Sequence, residues 1–571
     1  MPPAHSAASA QHFATAVEVS PLEPKVPASL RSDDDSVAPK KSPASNRAYR
    51  WLFGLFVLSL ALMNPWVRGD GVGYYAFARA VLIQHNFDFT PDYNAANASF
   101  RDARLDENGN PKPVFRTATN HLENHFTVGP AILWAPFLIV AHAGVLVARA
   151  LGSNVAADGF SAPYRFALAL GTAIYGFLGL FLAMRFAAKY VGERWAFLAT
   201  VAIWWASSLP VYMYFNPSWS HAHSAFVVAL FLWYWHETGA ARSTLQWIVL
   251  AAIAGLMLNV YYPNAMVLAV LAVEAAPQYF AALRSKQSSE HESPDREMIK
   301  LNAANREPLE RAAFAREPID RESENRYSLE REALARSGSE AETLPSVLQL
   351  AANHLLFAAV MIACLFPTLA LRYVIYGNPF ESGYVSLKDW AWRSPYFLAV
   401  LFSSDHGLLA WTPVIAVACI GVFIFALREP RVGTAILAAT LAFYFFIACY
   451  PDWAGISSFG NRFFVSLTPI FIIGLSVFFD RAARFFTSKR AAATAFGVTA
   501  AILVVWNLAF IFQWGTHLVP ARGPIVWSEM IHNQFAVVPR EIASKAQSYL
   551  FNRSNLMQQI EQRDIEQMHE K

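Results

Sequence analysis

Long apolar runs, separated by short polar connections, dominate the chain. A helix needs roughly 20 residues to cross the hydrocarbon core of a bilayer, and about eleven runs come near that length. We therefore predict an all-α polytopic membrane protein with about eleven transmembrane helices and additional periplasmic juxtamembrane helices. The predicted spans lie at about 50–66, 164–187, 195–212, 222–238, 244–262, 263–282, 347–371, 407–427, 432–450, 463–480 and 492–514.

A twelfth apolar run, 127–148, is ambiguous, and the distribution of basic residues indicates its topology. Loops rich in Lys and Arg stay in the cytoplasm, and the basic connections of this chain share one side only if 127–148 does not cross. Pro130 and Pro136 favour a broken helix in the outer interface. The connections expected in the cytoplasm carry Arg185, Lys189 and Arg194; Arg242; the block 284–345; Arg428 and Arg431; and Arg481, Arg484, Lys489 and Arg490.

This topology divides the chain into five parts. Basic residues before the first run, among them Lys40 and Arg50, favour a cytoplasmic N-terminus and an uncleaved first helix. The parts are a disordered cytoplasmic tail at 1–47, an N-terminal transmembrane module at 48–283 with an outer segment at 68–163, a charged cytoplasmic linker at 284–345, a C-terminal transmembrane module at 346–514, and an outer-face tail at 515–571.

Composition agrees with this class of protein. The chain is 55% hydrophobic and 15% charged, whereas soluble domains carry about 25% charged residues. Its formal net charge of +3 is too small to indicate a nucleic-acid partner. Cys364, Cys419 and Cys449 all lie in apolar runs, so neither a disulfide framework nor a Cys-rich metal site is predicted.

The outer segment begins with a candidate catalytic carboxylate. Asp70 stands a few residues after the first predicted span, directly before an amphipathic helix that contains Tyr74. A helix N-terminus favours the ionised carboxylate, which can accept a proton from a substrate hydroxyl. The alternative is that Asp70 only caps the helix, and from spacing alone capping is the commoner role.

Four segments of the predicted outer loops carry recognisable motifs: Arg68-Gly-Asp70-Gly-Val-Gly-Tyr-Tyr75, His125-Phe-Thr-Val-Gly-Pro-Ala-Ile-Leu-Trp-Ala-Pro136, Gly377-Asn-Pro-Phe-Glu-Ser-Gly-Tyr384 and Ser458-Phe-Gly-Asn-Arg462-Phe. They resemble segments of the GT-C glycosyltransferases, a superfamily that includes protein O-mannosyltransferases and the bacterial lipid A aminoarabinose transferase. The second segment is similar to an outer helix of that superfamily that skirts the membrane, which supports a non-crossing 127–148 in a GT-C-like N-terminal module. The mannosyltransferases often carry an Asp-Glu pair where Gly71 follows Asp70 here.

The resemblance implies a polyprenyl-phosphate sugar donor held in the membrane and an acceptor hydroxyl on a glycan, lipid or protein. Asp70 is then the general base, on the periplasmic face of a bacterial inner membrane, and the sugar is transferred with inversion at its anomeric carbon. Tyr74 and Tyr75 belong to the same motif and are candidate substrate-binding residues. No organic cofactor is implied, and a divalent metal stays open.

A leaving phosphate needs a cation near the membrane surface. Arg462 precedes a predicted span on the outer side, and a guanidinium can bind phosphate in a bidentate way. The alternative is an arginine that only snorkels to the interface. Arg393 and Arg372 are weaker candidates by the same argument, and Arg68 is either a phosphate ligand or a partner of Asp70.

Histidines supply further candidates. His121 and His125 would share one face of a helix, with Glu123 between them, so a metal site is conceivable there. The spacing is not the His-Glu-x-x-His zinc pattern, and the commoner interpretation is a polar loop in which His125 contacts the acceptor. His221 stands at the outer end of a predicted span, where a polar residue often marks a cavity or an interface.

Two other functions stay open. A transporter or flippase of lipid-linked sugars would need ionisable groups deep in its spans, and Glu274 is a solitary candidate. A non-catalytic membrane protein would use Asp70 only as a cap. Replacing Asp70 with Asn, which also caps helices, separates the second of these from the enzyme.

Overall fold

The structure, a computed structural model, describes residues 47–239, 241–291, 346–381, 383–393 and 395–569. Within these ranges the chain forms helices joined by turns, with two isolated β-bridges and no strand. The predicted all-α fold is therefore confirmed. Residues 1–46 of the predicted N-terminal tail and residues 292–345 of the predicted linker lie outside the described residues.

The described helices fall into two groups, before and after the segment of residues 292–345. Those before it are α1 (Arg47–Ser59), α2 (Asp70–Arg79), α3 (Thr90–Asn94), α4 (Ala98–Arg104), α5 (Gly129–Ala150), α6 (Ala162–Ala187), α7 (Glu193–Trp205), α8 (His221–Thr238), α9 (Thr244–Val260) and α10 (Ala269–His291). Those after it are α11 (Val347–Ala363), α12 (Phe366–Tyr376), α13 (Phe397–Phe402), α14 (Leu408–Trp411), α15 (Val414–Arg428), α16 (Pro430–Cys449), α17 (Thr468–Ala482), α18 (Lys489–Gly515), α19 (Trp527–His532), α20 (Val538–Phe551) and α21 (Arg553–His569).

Among the described residues, six helical segments are long and apolar enough to cross a membrane. Two of them begin in a 3-10 turn that leads into α10 or α17. The pair α11 and α12 meets the same criteria jointly, with a bend of 41°, and would make a seventh span. The predicted number of eleven is not confirmed. The six are Gly129–Ala150, Ala162–Ala187, Tyr262–Arg284, Pro430–Cys449, Arg462–Phe485 and Lys489–Gly515.

Residues that interrupt helices shorten several predicted spans. The predicted span 195–212 contains α7, which ends at Trp205 before the Ser-Ser-Leu-Pro stretch of residues 207–210. The predicted span 407–427 is divided into α14 and α15 at Pro413. Proline lacks the N–H that a continuing helix needs and restricts the residue before it. These apolar runs therefore do not form single long helices.

The apolar run 127–148 forms one continuous helix, α5, so the expected break at its prolines is wrong. Pro130 occupies the first turn, where the missing N–H would have no helical partner in any case. Pro136 lies inside the helix without ending it. Length and hydropathy make α5 one of the six segments able to cross, and its non-crossing topology stays a prediction.

α5 and the first half of α6 form an antiparallel pair. Trp134 Nε1 donates to Thr172 Oγ1 at 2.8 Å, and His142 Nδ1 lies 2.7 Å from the Tyr164 hydroxyl. Thr172 Oγ1 in turn donates to the carbonyl of Pro217, at 2.7 Å, in the loop before α8. The beginning of α5 therefore lies beside the loop before α8. The later part of α5 extends away from that loop and packs beside the start of α6.

Small residues let the central helices approach closely. Gly421 of α15 faces Gly474 of α17, and a Cβ added at position 421 would lie 1.8 Å from the Gly474 carbonyl oxygen. Gly179 of α6 packs in the same way against the backbone of Phe226 in α8. Lipid tails are as apolar as the side chains they contact, so close backbone packing contributes much of helix association in membranes. Larger side chains at these glycines would separate the central helices.

Glu274 is not solitary, which corrects the expectation from the sequence. Its Oε2 accepts hydrogen bonds from Arg242 Nη1 at 2.9 Å and from Trp235 Nε1 at 2.8 Å. Arg242 also donates to the Trp235 carbonyl and to Thr238 Oγ1, at the C-terminal end of α8. The carboxylate is thus paired with a cation at the end of α8 opposite His221.

Residues 68–163, the predicted outer segment, and residues 515–571, the predicted tail, pack together. Helices α2, α3 and α4 surround a second apolar core with the start of α5. Arg79 and Asp92 form a buried bidentate pair beside it, with Nε–Oδ1 at 2.7 Å and Nη2–Oδ2 at 2.6 Å. The last helix, α21, lies against α4. The tail therefore contributes to the same face of the molecule as Asp70.

Candidate functional site

The backbone at Gly69 turns the chain into α2 and places Asp70 in its first turn. Gly69 has a φ of +54°, a conformation that side chains disfavour, and its N–H donates to Asn97 Oδ1 at 2.9 Å. The carboxylate of Asp70 is directed to Arg462, with Oδ2 accepting from Nη1 at 2.6 Å. Asp70 is therefore the first helical residue, one position later than expected, and carries an ion pair as well as the favourable helix dipole.

Two glycines let α2 approach the neighbouring loops. A Cβ at Gly71 would lie 2.0 Å from Ser218 Oγ, and a Cβ at Gly73 would lie 2.0 Å from the Phe126 ring. Both distances are far inside van der Waals contact. Close packing therefore explains why Gly71 follows Asp70 in this chain, at the position where the mannosyltransferases often carry Glu. A side chain at position 71 would collide with Ser218.

Arg462 reaches Asp70 from the other half of the chain, 392 positions later. It begins the 3-10 turn Arg462–Leu467 that leads into α17, and its guanidinium lies over the Trp219 ring, 4.9 Å from the centroid. The side chains of Arg462 and Asp70 are 14% and 26% exposed, so the pair is sheltered but open to a ligand. Arg462 Nε is buried and has no hydrogen-bond partner within the described part of the chain.

An aromatic wall surrounds the ion pair. His221, at the start of α8, packs edge-on against Tyr212 with centroids 4.7 Å apart and against Tyr261 at 5.9 Å. The Tyr74 hydroxyl accepts a hydrogen bond from Ser220 Oγ at 3.0 Å. Burial, and next the charge of Asp70, raise the pKa of Tyr74, so the phenol stays protonated. The sequence candidates Tyr74 and His221 therefore lie around Asp70 and Arg462.

The loop that follows α12 covers another side of the site. Tyr384 packs edge-on against His125, with centroids 4.8 Å apart, and His125 Nδ1 lies 3.3 Å from Glu123 Oε1. Burial, followed by the neighbouring Tyr74 and the charge of Asp70, raises the pKa of Tyr384. Tyr384 is not among the residues predicted from the sequence. It is the last residue of the motif Gly377–Tyr384, and its place in that motif could have indicated it.

The remaining candidates lie elsewhere. Arg68 does not pair with Asp70, so that alternative is wrong: its Nη2 donates to Asp564 Oδ2. Tyr75 donates to the carbonyl of Gly159 at 2.6 Å. Arg393 is exposed beyond Trp392, and no contact with Asp70 or Arg462 is found for it among the described residues. Arg372 donates to the Tyr262 hydroxyl at 2.7 Å.

The histidines considered for a metal have separate partners. His121 Nδ1 lies 2.9 Å from Thr119 Oγ1 in an exposed loop, whereas His125 faces Glu123 and Tyr384. In the ranges that the structure describes, no three His, Cys, Asp or Glu side chains are grouped so that they would hold a metal ion. The polar groups around Asp70 include its carboxylate, the Arg462 guanidinium, aromatic hydroxyls and the imidazoles of His221 and His125.

His406 is a further buried histidine, and it contacts the loop that leads to Arg462. Its Nδ1 donates to the carbonyl of Ala454 at 2.9 Å, in the loop that leads to Arg462, and its Nε2 has no partner within the described residues. Burial lowers the pKa of His406 to about 4. The neutral imidazole thus links the loop before α14 to the loop that positions Arg462.

Comparison with known proteins gives distant structural likenesses. No family model and no curated protein sequence matches the chain. Two similar solved structures are the oligosaccharyltransferase of Archaeoglobus fulgidus in the apo form (15% identity, TM-score 0.42) and the archaeal oligosaccharyltransferase AglB from the same organism in complex with an inhibitory peptide and a dolichol-phosphate (14% identity, TM-score 0.39). Each match covers 81% of this chain and 55% of the neighbour's length. With TM-scores below 0.5, these likenesses establish neither a family nor an activity.

Proposed function

We propose that the chain is a GT-C-type membrane glycosyltransferase that transfers a sugar from a polyprenyl-phosphate donor to an acceptor hydroxyl, with inversion. The observation that carries the proposal is the contact between Asp70 and Arg462. The sequence offers Asp70 as a candidate base and Arg462 as a candidate ligand of the leaving phosphate. Their meeting at 2.6 Å supports a single site in which both act.

In this mechanism Asp70 takes the proton of the acceptor hydroxyl while the hydroxyl oxygen attacks the anomeric carbon. The bond between that carbon and the phosphate oxygen breaks, and the phosphate leaves with the electron pair. The Arg462 side chain is 14% exposed, and its Nε has no hydrogen-bond partner among the described residues, so the guanidinium retains donor capacity for the phosphate oxygens. Preorganised positive charge at a leaving phosphate lowers the barrier because no reorganisation is needed during the reaction.

The neighbouring side chains suit the binding of a sugar and an acceptor. Tyr74 stays protonated and so offers a hydrogen-bond donor beside the base. His221 lies in a wall of aromatic rings, and its Nδ1 has no hydrogen-bond partner in the part of the chain that the structure describes. His125 and Tyr384 present a second aromatic surface close to Asp70. We assign these four residues to substrate binding, and we leave Tyr75, Arg68 and Arg393 outside the direct contacts.

The distribution of charge supports a site on the outer face of the membrane, which we take to be a bacterial inner membrane. The C-terminal end of α8 holds two cations, Arg242 and Lys189, the latter paired with Glu237 at 2.6 Å. The N-terminal end of α8 begins with His221 at the site. The 18 residues of α8 separate these ends by about 27 Å. Because basic ends face the cytoplasm, the site end faces outward, in agreement with a non-crossing α5 beside it.

The experiment compares wild type, Asp70→Asn and Asp102→Asn in a strain that lacks the gene. Asp102 lies on the same outer segment, exposed and paired with its neighbour Arg101, and serves as the matched control. Envelope glycans and polyprenyl-linked sugars are measured by mass spectrometry, with protein abundance determined in membranes. We expect Asp70→Asn alone to lose the glycan and to accumulate its lipid-linked precursor. Full restoration by Asp70→Asn at equal abundance would exclude Asp70 as the base.

A further inference from the structure

The last helix of the described chain, α21, binds Arg68, the arginine nearest to Asp70 in the sequence. Asp564 Oδ2 accepts from Arg68 Nη2 at 2.5 Å, and Asp564 Oδ1 lies 2.9 Å from His517 Nε2. The Arg68 guanidinium also lies over the Trp66 ring, 4.3 Å from the centroid. Arg68 is thus fixed by a carboxylate and an aromatic face, two positions before the proposed base.

A second carboxylate of α21, Glu561, contacts the start of α4, which in turn binds the backbone at Gly69. Glu561 Oε1 accepts from the N–H of Ala98 at 2.8 Å, at the start of α4. The adjacent Asn97 is the residue whose Oδ1 accepts from the N–H of Gly69. α21 therefore binds the residue before Gly69 and the residue after Asn97, which is the hydrogen-bond partner of Gly69.

The tail also binds the connection between α1 and Asp70. The Tyr549 hydroxyl donates to the carbonyl of Leu62 at 2.7 Å, and Arg553 donates to the carbonyl of Met63. The contacts of the tail thus follow the chain from the end of α1 to the start of α2. This continuity indicates that the tail shapes the approach to Asp70.

We propose that Asp564 is a positioning residue, which keeps Arg68 away from Asp70 and so leaves Arg462 as the partner of the carboxylate. The proposal rests on the function proposed above. An arginine two residues away is long enough to reach Asp70 once it is released, and a second guanidinium on the base would lower its ability to accept a proton. Burial alone would raise the pKa of Asp564, but His517 and Arg68 outweigh it and lower that pKa, so the holding carboxylate is ionised.

The test is a double-mutant cycle read as glycan formed per unit of membrane protein. We expect Asp564→Ala to lose about tenfold in activity, and Asp564→Glu to retain most of it. In an Arg68→Gln background, Asp564→Ala should change activity by less than about twofold, because the competing cation is already absent. Glu566→Ala, at an exposed position on the same helix, is the matched control.

The outcomes separate the two proposals. If Asp70→Asn is inactive but Asp564→Ala is as active as wild type, the positioning role is wrong and the proposed function stands. If Asp564→Ala loses the same factor with and without Arg68, its role is structural only, which also overturns the inference. If Asp70→Asn is fully active, both proposals fail. Should Asp564→Ala not accumulate in membranes, Asp564→Asn, which keeps the side-chain shape, replaces it in the cycle.

Discussion

Replacing Gly71 with alanine tests how closely α2 must approach the loop before α8. The added Cβ would lie 2.0 Å from Ser218 Oγ, 2.4 Å from Ser218 Cβ and 3.0 Å from the Ser218 carbonyl oxygen. Rotation of the hydroxyl relieves only the first contact, because the other two atoms are fixed by the backbone. Ordinary contact begins at 3.4 Å, so α2 and the loop must separate by about 1 Å.

This displacement has two expected consequences. Overpacking a tight contact costs about 1–3 kcal/mol of unfolding free energy. A shift of 1 Å at a reacting group lowers the rate by about a hundredfold, and Asp70 is directly bonded to the substituted residue. We therefore expect Gly71→Ala to accumulate in membranes, to melt at a lower temperature than wild type, and to retain about 1% of the activity.

The assay combines thermal unfolding of the purified protein in detergent with the glycan measurement in the deletion strain. Gly144→Ala is the matched control, because its added Cβ in α5 meets no atom within 4 Å, and it should be neutral or stabilise by up to about 1 kcal/mol. Ser218→Gly in the Gly71→Ala background removes two of the three close contacts and should recover part of both losses. A wild-type melting temperature for Gly71→Ala would refute the packing argument, and a lower melting temperature with full activity would refute its connection to Asp70.

Three further predictions concern charged groups. Arg462→Lys keeps a charge but not the planar fork, so we expect activity to fall about tenfold, with a larger fall for Arg462→Gln; full activity of the lysine variant would show that a point charge suffices. Arg242→Gln leaves Glu274 without its cation and should lower the unfolding free energy by about 3–5 kcal/mol, whereas adding Glu274→Gln should recover most of the melting temperature; equal losses in both variants would contradict the pairing argument. His406 titrates near 6.5 when unfolded but at about 4 when folded, so the unfolded chain binds the proton first and stability should fall, by on the order of 2 kcal/mol, as the pH drops from 7 to 4. His406→Gln should flatten that decline in melting temperature, and an unchanged pH slope would argue against it.

The all-α class follows from composition and run length, but the number of long helices does not. A hydropathy pattern records that 195–212 and 407–427 are apolar, and it gives little weight to Ser207, Ser208 or Pro413, where the helices end or divide. The opposite error occurred at 127–148, where two prolines indicated a break. Proline in the first turn is favourable, and Pro136 is accommodated inside α5.

The site illustrates which contacts sequence reasoning finds. Asp70 and Arg462 were recognisable separately, because each stands in an outer loop beside a predicted span. Their ion pair was not, since it depends on how two loops 392 residues apart meet through Trp219 and α8. For Arg68, sequence reasoning suggested the wrong partner. Its closeness to Asp70 in the sequence predicted an ion pair between the two, but in the structure Arg68 pairs with Asp564.

The contact between Arg68 and Asp564 joins residues 496 positions apart, which has a consequence for biosynthesis. At about 5–20 residues per second, a ribosome reaches Asp564 roughly 25–100 seconds after Arg68. During that interval Asp70 is already made, and its nearest guanidinium in the chain is Arg68. The native ion pair of Asp70 can therefore form only after Arg462 has been translated, and that of Arg68 only after the last helix has been translated. Truncated products that stop after α18 contain Arg462 but lack Asp564, so we expect them to lose at least the roughly tenfold in activity expected for Asp564→Ala, even when their membrane helices are inserted correctly.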